Sequence, residues 1–377
     1  MQLVEGSQPG RALGELEVLT AGNPLAESLW AWRVRALARC DRHADALRVA
    51  DEARRALAEV GLEPGAALRA SEAEVFDGDP MPSPPSTRST GNARSTDGSP
   101  VAVEYAEGQH GHTAFVRLSS GGPDLLVLNP AMITIDGLLD DPHPRSALAR
   151  LGEQRRVTCF DRRGIGLSDP LSAERAPLDD WVADVLLVLD AGGVSEVDLF
   201  ANFDTGLIAL EFAARYPDRV RSVVLAQCFA TYLRSDDYPF GLDPITADSL
   251  IRDATNPVTP AERLDTVVHA APSAAHDAAF RQWWNRIGQR AAGPRTAATI
   301  RAIATRTDLR RRLPAVAAPT LVLHRRNCTN VDLGHSRYLA DHLPDARLEL
   351  VAGTDSLWFT DSDELLDRAL SFLAGGG

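Results

Sequence analysis

The sequence contains no lysine, so that all 39 basic residues among its 377 are arginine. This absence excludes Schiff-base catalysis, a lysine-anchored pyridoxal cofactor and the phosphate-binding lysine of a Walker A loop. Cysteine is scarce, and the four cysteines are far apart in the sequence: Cys40, Cys159, Cys228 and Cys328. Because no C-x-x-C spacing occurs, neither a disulfide framework nor a zinc site is indicated. We expect no metal and no cofactor.

Long apolar runs and excess positive charge are also missing. No apolar run approaches the roughly 18 residues needed to span a bilayer, and the N-terminus has no basic segment followed by an apolar one. The net charge of -13 opposes binding to the phosphates of nucleic acids and to anionic membranes. The composition therefore predicts a cytoplasmic protein that binds neither nucleic acid nor membrane directly.

Residues 1–76 carry apolar side chains at helical spacing. The spacing is clearest at 25–32 and 44–53, and turn residues at 22–24 and 40–42 separate these segments. This pattern predicts two antiparallel helical hairpins. Residues 77–100 are rich in proline, serine, threonine, glycine and aspartate, and such a segment buries too little apolar surface to offset its ordering entropy. They are predicted to be a mobile linker.

The N-terminal segment resembles the C-terminal part of the bacterial transcriptional activator domain, a tetratricopeptide-like module of actinobacterial regulators. The resemblance rests on Asn23-Pro24-Leu25, on the segment from Arg42 to Leu47 and on the segment from Val60 to Gly65. In that family a winged-helix DNA-binding domain usually precedes the module, and we expect none in this sequence. Because resemblance in fold does not establish function, we favour a packing or homodimerisation role for the module over a regulatory one.

Beyond residue 100, short apolar segments alternate with helical ones. The apolar segments lie at 124–128, 156–160, 196–200, 221–225 and 319–323. Nearly continuous apolar strands separated by helices are typical of a parallel sheet that is covered on both faces. In such sheets ligands bind beyond the carboxyl ends of the strands, so we look for the functional site there.

The same region resembles the α/β-hydrolase family. The resemblance covers about residues 101–375 and rests on four segments: Phe160 to Asp169, Ala213 to Val220, Asp237 to Gly241 and His324 to Arg326. It implies an α/β-hydrolase domain over 101–377, with a mostly parallel sheet flanked by helices and a helical cap inserted at about 230–315. It also implies a catalytic triad on three strand ends: a serine on a sharp G-x-S-x-G turn, an acid and a histidine.

All three triad positions hold other residues in this sequence. Alignment by the matched segments places Ala201-Asn202-Phe203-Asp204-Thr205 on the G-x-S-x-G turn, with Phe203 in place of the serine. Cys328 lies where the family has its acid, and Ser356 lies where it has its histidine. None of these side chains can do the same task at its position. Because bulky residues fit poorly at positive φ, we also expect a relaxed turn with Phe203 at negative φ.

Asp204 and Asp355 are the better candidates for acid–base catalysis, because each adjoins a lost triad position. The alternatives are a carboxylate that stabilises a helix N-terminus for Asp204 and a loop cap for Asp355. Cys328 is a third catalytic candidate, with His324 at a strand end as its base. His335 and His342 lie seven residues apart on one predicted helix, 333–342, and are interpreted as surface or helix-end residues.

An oxyanion hole can persist without the triad because it is made by backbone N–H groups. Its expected members are Ala131 and Met132, after the first core strand, and Asp204. The Trp283-Trp284 pair, with Phe280, Phe229 and Tyr238, is interpreted either as the roof of an aromatic ligand pocket or as ordinary cap packing. The residues predicted to bind ligand are Asn129, Asn202, Phe203, Phe229, Tyr238, Trp283, Trp284, His324 and Trp358.

Three functions are compatible with these features. The first is a non-hydrolytic, cofactor-independent enzyme that acts on a bulky apolar carbonyl-containing natural product by addition, C–C bond formation, cyclisation, elimination or isomerisation. The second is a ligand-sensing pseudo-hydrolase with a regulatory role. The third, which we favour least, is an esterase that depends on Cys328. Because the sequence has no winged-helix segment to serve as a sensor's output, it favours the enzyme. The expected partner is a small apolar or aromatic molecule.

Overall fold

The computed structural model describes residues 13, 16, 17, 19, 20, 23, 25–38, 40, 42–58, 64, 65, 67–71, 101–109, 111–130, 133–171, 177–254 and 265–375. Contacts within the chain divide it into two compact units, Met1–Thr87 and Arg88–Gly377. The predicted linker at 77–100 lies outside the described residues. Within them, no helix is long and apolar enough to cross a membrane.

In the described part of the N-terminal unit, helices α1 (Glu27–Ala38) and α2 (His43–Ala58) pack side by side. Alanines at 46, 50 and 53 line the buried face of α2, and their small side chains allow Trp30, Val34 and Leu37 of α1 to pack closely. The helices begin and end close to the predicted turns. The predicted first hairpin falls largely outside the described residues.

The second unit is built around one eight-stranded sheet. Its strands are β1 (Val103–Gly108), β2 (Gly111–Arg117), β3 (Asp124–Leu128), β4 (Arg156–Phe160), β5 (Val197–Asn202), β6 (Val220–Ala226), β7 (Thr320–Arg325) and β8 (Ala346–Val351). Their order across the sheet is β1-β2-β4-β3-β5-β6-β7-β8. Strand β2 is antiparallel to both neighbours, and all other pairs are parallel.

Helices cover both faces of this sheet. They are α3 (Pro142–Gly152), α4 (Pro177–Ala191), α5 (Gly206–Arg215), α6 (Pro244–Asp253), α7 (Thr266–Ala270), α8 (Ala278–Ala291), α9 (Pro294–Arg306), α10 (Leu333–His342) and α11 (Asp363–Gly375). Apolar side chains of α3 and α11 pack on one face, here named the α3 face. Those of α4, α5 and α10 pack on the other, the α5 face. Helices α6 to α9 lie in the segment between β6 and β7, where the cap is expected.

All five predicted strands are confirmed: β3 and β4 have the predicted ends, and the ends of β5, β6 and β7 are shifted by one or two residues. Strands β1, β2 and β8 were not predicted. The outer strands β1 and β8 carry charged side chains and are only partly buried, so they lack the continuous apolar run by which the inner strands were recognised. The fold prediction itself is correct: this is an α/β-hydrolase architecture with a mostly parallel sheet.

Candidate functional site

The turn from β5 into α5 keeps a left-handed backbone. Phe203 has φ of 56° and begins one 3₁₀ turn, Phe203–Thr205. The expectation of a relaxed turn is therefore wrong. The Thr205 hydroxyl holds the turn: it accepts a hydrogen bond from the Asn202 N–H at 3.0 Å and lies 2.9 Å and 2.8 Å from the carbonyls of Leu128 and Asn202. These contacts offset the roughly 1–3 kcal/mol that such a backbone costs.

Packing around the turn also fixes its shape. The Phe203 ring lies edge to face with Phe229 at 5.3 Å and with Tyr232 at 5.6 Å between ring centroids. Glycine is required at Gly206, the first residue of α5, because a Cβ there would lie 2.6 Å from the Cβ of Cys228. Phe203, which the matched sequence segments align with the family's serine, is thus a packed aromatic side chain.

Asp204 is part of a buried ion pair. Its carboxylate lies 2.5 Å from Nη2 of Arg162, which follows β4, and both side chains are buried. The Arg162 guanidinium also stacks over Trp181 of α4, with 4.4 Å between Cζ and the ring centroid. Asp204 therefore serves charge pairing in this structure. The alternative interpretation, a carboxylate that stabilises a helix N-terminus, agrees with the position of Asp204 in the 3₁₀ turn that leads into α5.

The loop after β8 is held by hydrogen bonds at Ser356, the residue that the matched sequence segments align with the family's histidine. Ser356 donates its hydroxyl to the Ala270 carbonyl at 3.1 Å and accepts from Asn330 Nδ2 at 3.0 Å. The neighbouring Asp355 is fully buried and accepts from the Ser273 N–H at 3.0 Å and from the Ser273 hydroxyl. Asp355 thus caps a turn of the inserted segment. The alternative interpretation from the sequence had Asp355 capping the turn that follows Asp355 itself.

Cys328 lies after β7 and is partly buried. Burial raises the pKa of its thiol, although the backbone N–H groups of Val331 and Asn330 and the Arg325 charge lower it in part. The proposed base does not pair with it: the Nδ1 atom of His324 lies 2.9 Å from the hydroxyl of Ser336, and burial lowers the pKa of His324 to about 4. The geometry of these two side chains gives no support to a cysteine–histidine pair.

The interpretation of His335 as a surface or helix-end residue is wrong. Its side chain is only 2% exposed, and its Nδ1 atom lies 2.7 Å from the Tyr238 hydroxyl. Phe229, Tyr232 and Phe240 surround the ring, and burial lowers the pKa of His335 to about 4. The helical pattern correctly placed it on α10, but only the packing of the segment after β6 buries it.

The predicted aromatic roof is divided into two clusters. Trp283 donates its Nε1–H to the Gly137 carbonyl at 2.8 Å and packs with Phe280 and Phe359 in the core on the α3 face. Trp284 lies beside Phe280 and donates to the Thr266 hydroxyl at 2.9 Å. Phe229 and Tyr238 instead belong to the other cluster with Tyr232 and His335. The ring of Phe203 packs with Phe229 and Tyr232 of the second cluster.

Three residues predicted to bind ligand lie together at the carboxyl ends of the strands. Asn129 follows β3, Asn202 ends β5, and Trp358 packs on Phe200 of β5 at 5.0 Å between ring centroids. Asn202 donates its side-chain N–H groups to the carbonyls of Ala226 and Ser356, at 2.8 Å and 2.9 Å. The expected oxyanion residues Ala131 and Met132 lie outside the described residues.

Four residues around the site were not identified from the sequence: Arg162, Ser273, Tyr232 and Gln227. Arg162 belongs to the segment from Phe160 to Asp169, which identified the family but not the partner of Asp204. Ser273 lies in the inserted segment, where no periodic pattern singles it out. Gln227 follows β6 with φ of 56° and donates its side-chain N–H to the Asp355 carbonyl at 3.3 Å. The sequence signal that could have identified Gln227 was its position directly after a buried strand.

A cleft of about 140 Å³ lies at the amino ends of β3 and β4, opposite the carboxyl ends where the candidate site lies. Its charged side chains are ion-paired: Arg117 contacts Glu104, and Arg156 lies 2.6 Å from Asp124. Since Asp124 and Arg156 begin their strands, this cleft is remote from the carboxyl ends. Among the residues with coordinates described above, no group of three or more His, Cys, Asp or Glu side chains is arranged to hold a metal ion.

Comparison with known families agrees with this architecture. Residues 130–359 match the family model described as the α/β hydrolase fold, and residues 2–76 match that of the bacterial transcriptional activator domain. The chain therefore belongs to the α/β hydrolase fold family and carries a bacterial transcriptional activator domain at its N-terminal end.

Two characterised relatives are similar to part of the chain. A pimeloyl-(acyl-carrier protein) methyl ester esterase of Nitrosomonas europaea is 31% identical over 152 residues, which cover 38% of this chain and 58% of the relative. A 2-hydroxy-6-oxo-2,4-heptadienoate hydrolase of Pseudomonas putida is 33% identical over 101 residues, which cover 27% of this chain and 36% of the relative. The chain thus spans less than two thirds of the length of these relatives.

Solved structures show the same fold. A bromoperoxidase from Bacillus anthracis superposes with a TM-score of 0.61 and 21% identity, covering 73% of this chain and 99% of that one. An enol-lactonase from Burkholderia xenovorans gives a TM-score of 0.60 and 19% identity, covering 72% and 100%. At such identities the similarity establishes the fold alone.

Proposed function

We propose that the hydrolase-like unit is a pseudo-hydrolase that binds a small apolar or aromatic molecule and does not hydrolyse esters. The observation that carries the proposal is the set of side chains at the family's three catalytic positions. Phe203 occupies the left-handed turn with a ring that cannot act as a nucleophile, and Ser356 and Cys328 stand in for the histidine and the acid. No imidazole at these positions can accept a proton from a nucleophile.

The two neighbouring carboxylates support this proposal. A general base must reach the proton it removes and must be able to bind it. Asp204 is ion-paired with Arg162, and Asp355 accepts two hydrogen bonds from Ser273. Both side chains thus stabilise the fold around the site. The N-terminal match to a domain of transcriptional regulators favours a regulatory role for the bound ligand.

A second candidate function is favoured by the backbone of Phe203. Its left-handed conformation persists although no nucleophile is present, and such strain is often retained at functional sites. In the family, the residue after the nucleophile supplies a backbone N–H that polarises a carbonyl, and the alignment assigns that position to Asp204. A cofactor-independent, non-hydrolytic enzyme for a carbonyl-containing natural product would use this feature.

Ester hydrolysis tests the proposal directly. We expect neither the full chain nor its Cys328→Ala variant to release nitrophenol from p-nitrophenyl acetate and butyrate faster than buffer alone does. Rapid hydrolysis that Cys328→Ala abolishes would refute both candidate functions and support the cysteine-dependent esterase. Equal rates in the two proteins leave the thiol without a hydrolytic role.

The two candidates differ in what happens to a bound molecule. Ligands found by thermal-shift screening of aromatic and polycyclic carbonyl compounds are incubated with the protein and analysed by liquid chromatography and mass spectrometry. Recovery of the unchanged compound supports the pseudo-hydrolase. A product whose formation falls in both Asp204→Asn and Asp355→Asn, with binding retained, supports the enzyme.

A further inference from the structure

Asn129, Asn202 and Trp358, at the carboxyl ends of the strands, are among the side chains that carry buried polar atoms without a nitrogen or oxygen partner. Their atoms are Asn129 Oδ1 and Nδ2, Asn202 Oδ1 and Trp358 Nε1, and none of them has such a partner among the residues that the structure describes. Asn202 and Trp358 are fully buried, and Asn129 is 8% exposed. Folded proteins pair nearly all buried polar atoms, so a cluster of unpaired ones indicates a site that a ligand completes.

Asn202 and Trp358 lie on the α3 face of the sheet. Side chains alternate between the faces along a strand, and Phe200, two residues before Asn202, packs in the α3-face core. Trp358 packs directly on Phe200. Asn202 also donates a hydrogen bond to the Ser356 carbonyl, only two residues before Trp358. The two side chains therefore belong to one small region.

Asn129 lies beside Asn202. Leu128 of β3 and Ala201 of β5 are register partners, so Asn129 and Asn202 are the next residues along the two neighbouring strands. Such strands run about 4.8 Å apart. The Asn129 amide has one weak hydrogen-bonding partner, the Cys159 thiol of the α3-face core. The amide thus remains available to a ligand.

The hydrogen bonds of Asn202 fix the orientation of its amide. Its nitrogen donates to the carbonyls of Ala226 and Ser356, so the unpaired atom is the oxygen, an acceptor. Trp358 Nε1 is a donor, and Asn129 offers one acceptor and one donor group. The region thus presents neutral donors and neutral acceptors together. A ligand group that only accepts hydrogen bonds would pair with the donors and leave the acceptors unpaired.

We infer that Asn129, Asn202 and Trp358 form a subsite for a neutral amide group, a primary carboxamide or a lactam, on the ligand. The amide N–H donates to Asn202 Oδ1, its carbonyl accepts from Trp358 Nε1, and Asn129 pairs with either end. A ketone or ester carbonyl satisfies the donors and leaves the acceptors unpaired. This inference rests on the proposed function, because it specifies the ligand class of the same site.

Benzamide and acetophenone test the subsite, since they share shape and carbonyl and differ by NH₂ against CH₃. Ligand-observed NMR titrations of the full chain measure both dissociation constants. We expect benzamide to bind about tenfold more tightly, the effect of one or two buried hydrogen bonds. Trp358→Phe keeps an aromatic ring but removes the donor to the carbonyl that both probes share, so it is expected to weaken the binding of both and keep their ratio. Asn129→Leu keeps the side-chain shape but removes an acceptor for the amide N–H groups, so it is expected to bring the ratio close to one.

Trp32→Phe is the matched control, because it makes the same exchange in the N-terminal unit, and we expect it to keep the wild-type affinities and their ratio. Circular-dichroism melts establish that each variant is folded. Equal binding of the two probes to the wild-type chain, binding of neither, a wild-type ratio in Asn129→Leu, or wild-type affinity for both probes in Trp358→Phe would each overturn the subsite. Nitrophenyl ester hydrolysis overturns the proposed function instead, so the two failures are distinguishable.

Discussion

Acid is expected to destabilise the hydrolase-like unit through two buried histidines. His324 ends the apolar part of β7, and His335 lies on α10 beside the Tyr238 hydroxyl. Burial lowers the pKa of each from 6.5 to about 4, although the charge of Asp332 raises both in part. The unfolded chain therefore binds protons at a pH where the folded chain does not. Stability is fully present above pH 6.5 and is lost as the pH falls toward 4.

The size of the effect follows from the shift of each pKa. One unit corresponds to about 1.4 kcal/mol, so each histidine costs roughly 2 kcal/mol of stability by about pH 5 and roughly 3 kcal/mol by about pH 4. Asp161 acts in the opposite direction. Burial raises its pKa from 3.8 to about 7, so the folded state holds this proton more tightly and stability falls as the pH rises through that range. The carboxyl offsets about one histidine.

The variants His324→Asn and His335→Asn isolate the histidine terms. An asparagine amide lies close to the position of the imidazole Nδ1 atom, so it can keep the hydrogen bond to Ser336 or Tyr238 without gaining a proton. Urea unfolding, followed by tryptophan fluorescence at about pH 7 and about pH 5, measures stability. We expect each variant to lose roughly 2 kcal/mol less than the wild-type chain between these pH values.

His342→Asn is the control, because it makes the same exchange at the exposed end of α10. Burial is refuted as the cause if His342→Asn changes the pH dependence as much as His335→Asn does. It is also refuted if both buried variants keep the wild-type loss. A smaller loss in His335→Asn alone would assign the acid sensitivity to the aromatic cluster around Tyr238.

The remaining predictions concern the turn and its ion pair. Thr205→Val leaves the buried Asn202 N–H without an acceptor and should cost about 1–3 kcal/mol in urea unfolding; an unchanged midpoint would contradict the role of the hydroxyl. Phe203→Gly and Phe203→Ala both lose the ring, but only glycine is unstrained at φ of 56°, so the glycine variant should be more stable by about 1–2 kcal/mol, and the reverse order would exclude a left-handed turn. Arg162→Met should cost about 3–5 kcal/mol, and adding Asp204→Asn should recover most of it; additive losses in this double-mutant cycle would show that the pair is not coupled.

Much of the fold could be predicted from the sequence because its signals are local. Nearly continuous apolar segments marked β3, β4, β5, β6 and β7, and apolar spacing marked α10 with its ends correct. The outer strands β1 and β8 were missed because a partly exposed strand carries polar residues on one face and loses that signal.

The candidate site could be predicted only in part. The segments that identify the family placed Phe203, Cys328 and Ser356 at strand ends by counting, and Asn129, Asn202 and Trp358 were named as ligand-binding residues. Their ligand-binding role stays a prediction. The partners of Asp204 and Asp355 could not be predicted, because Arg162 and Ser273 lie 42 and 82 residues away in the sequence.

By itself the sequence determined which chemistry the chain carries at each strand end, since side-chain identity and local spacing depend on neighbouring residues alone. It thereby predicted the positions of the five core strands along the chain. Only the tertiary structure decided the conformation of the Phe203 turn and the separation of the aromatic residues into two clusters. Those features depend on contacts between distant segments, such as Thr205 with Leu128 and Phe203 with Tyr232, and such contacts leave no periodic signal in the sequence.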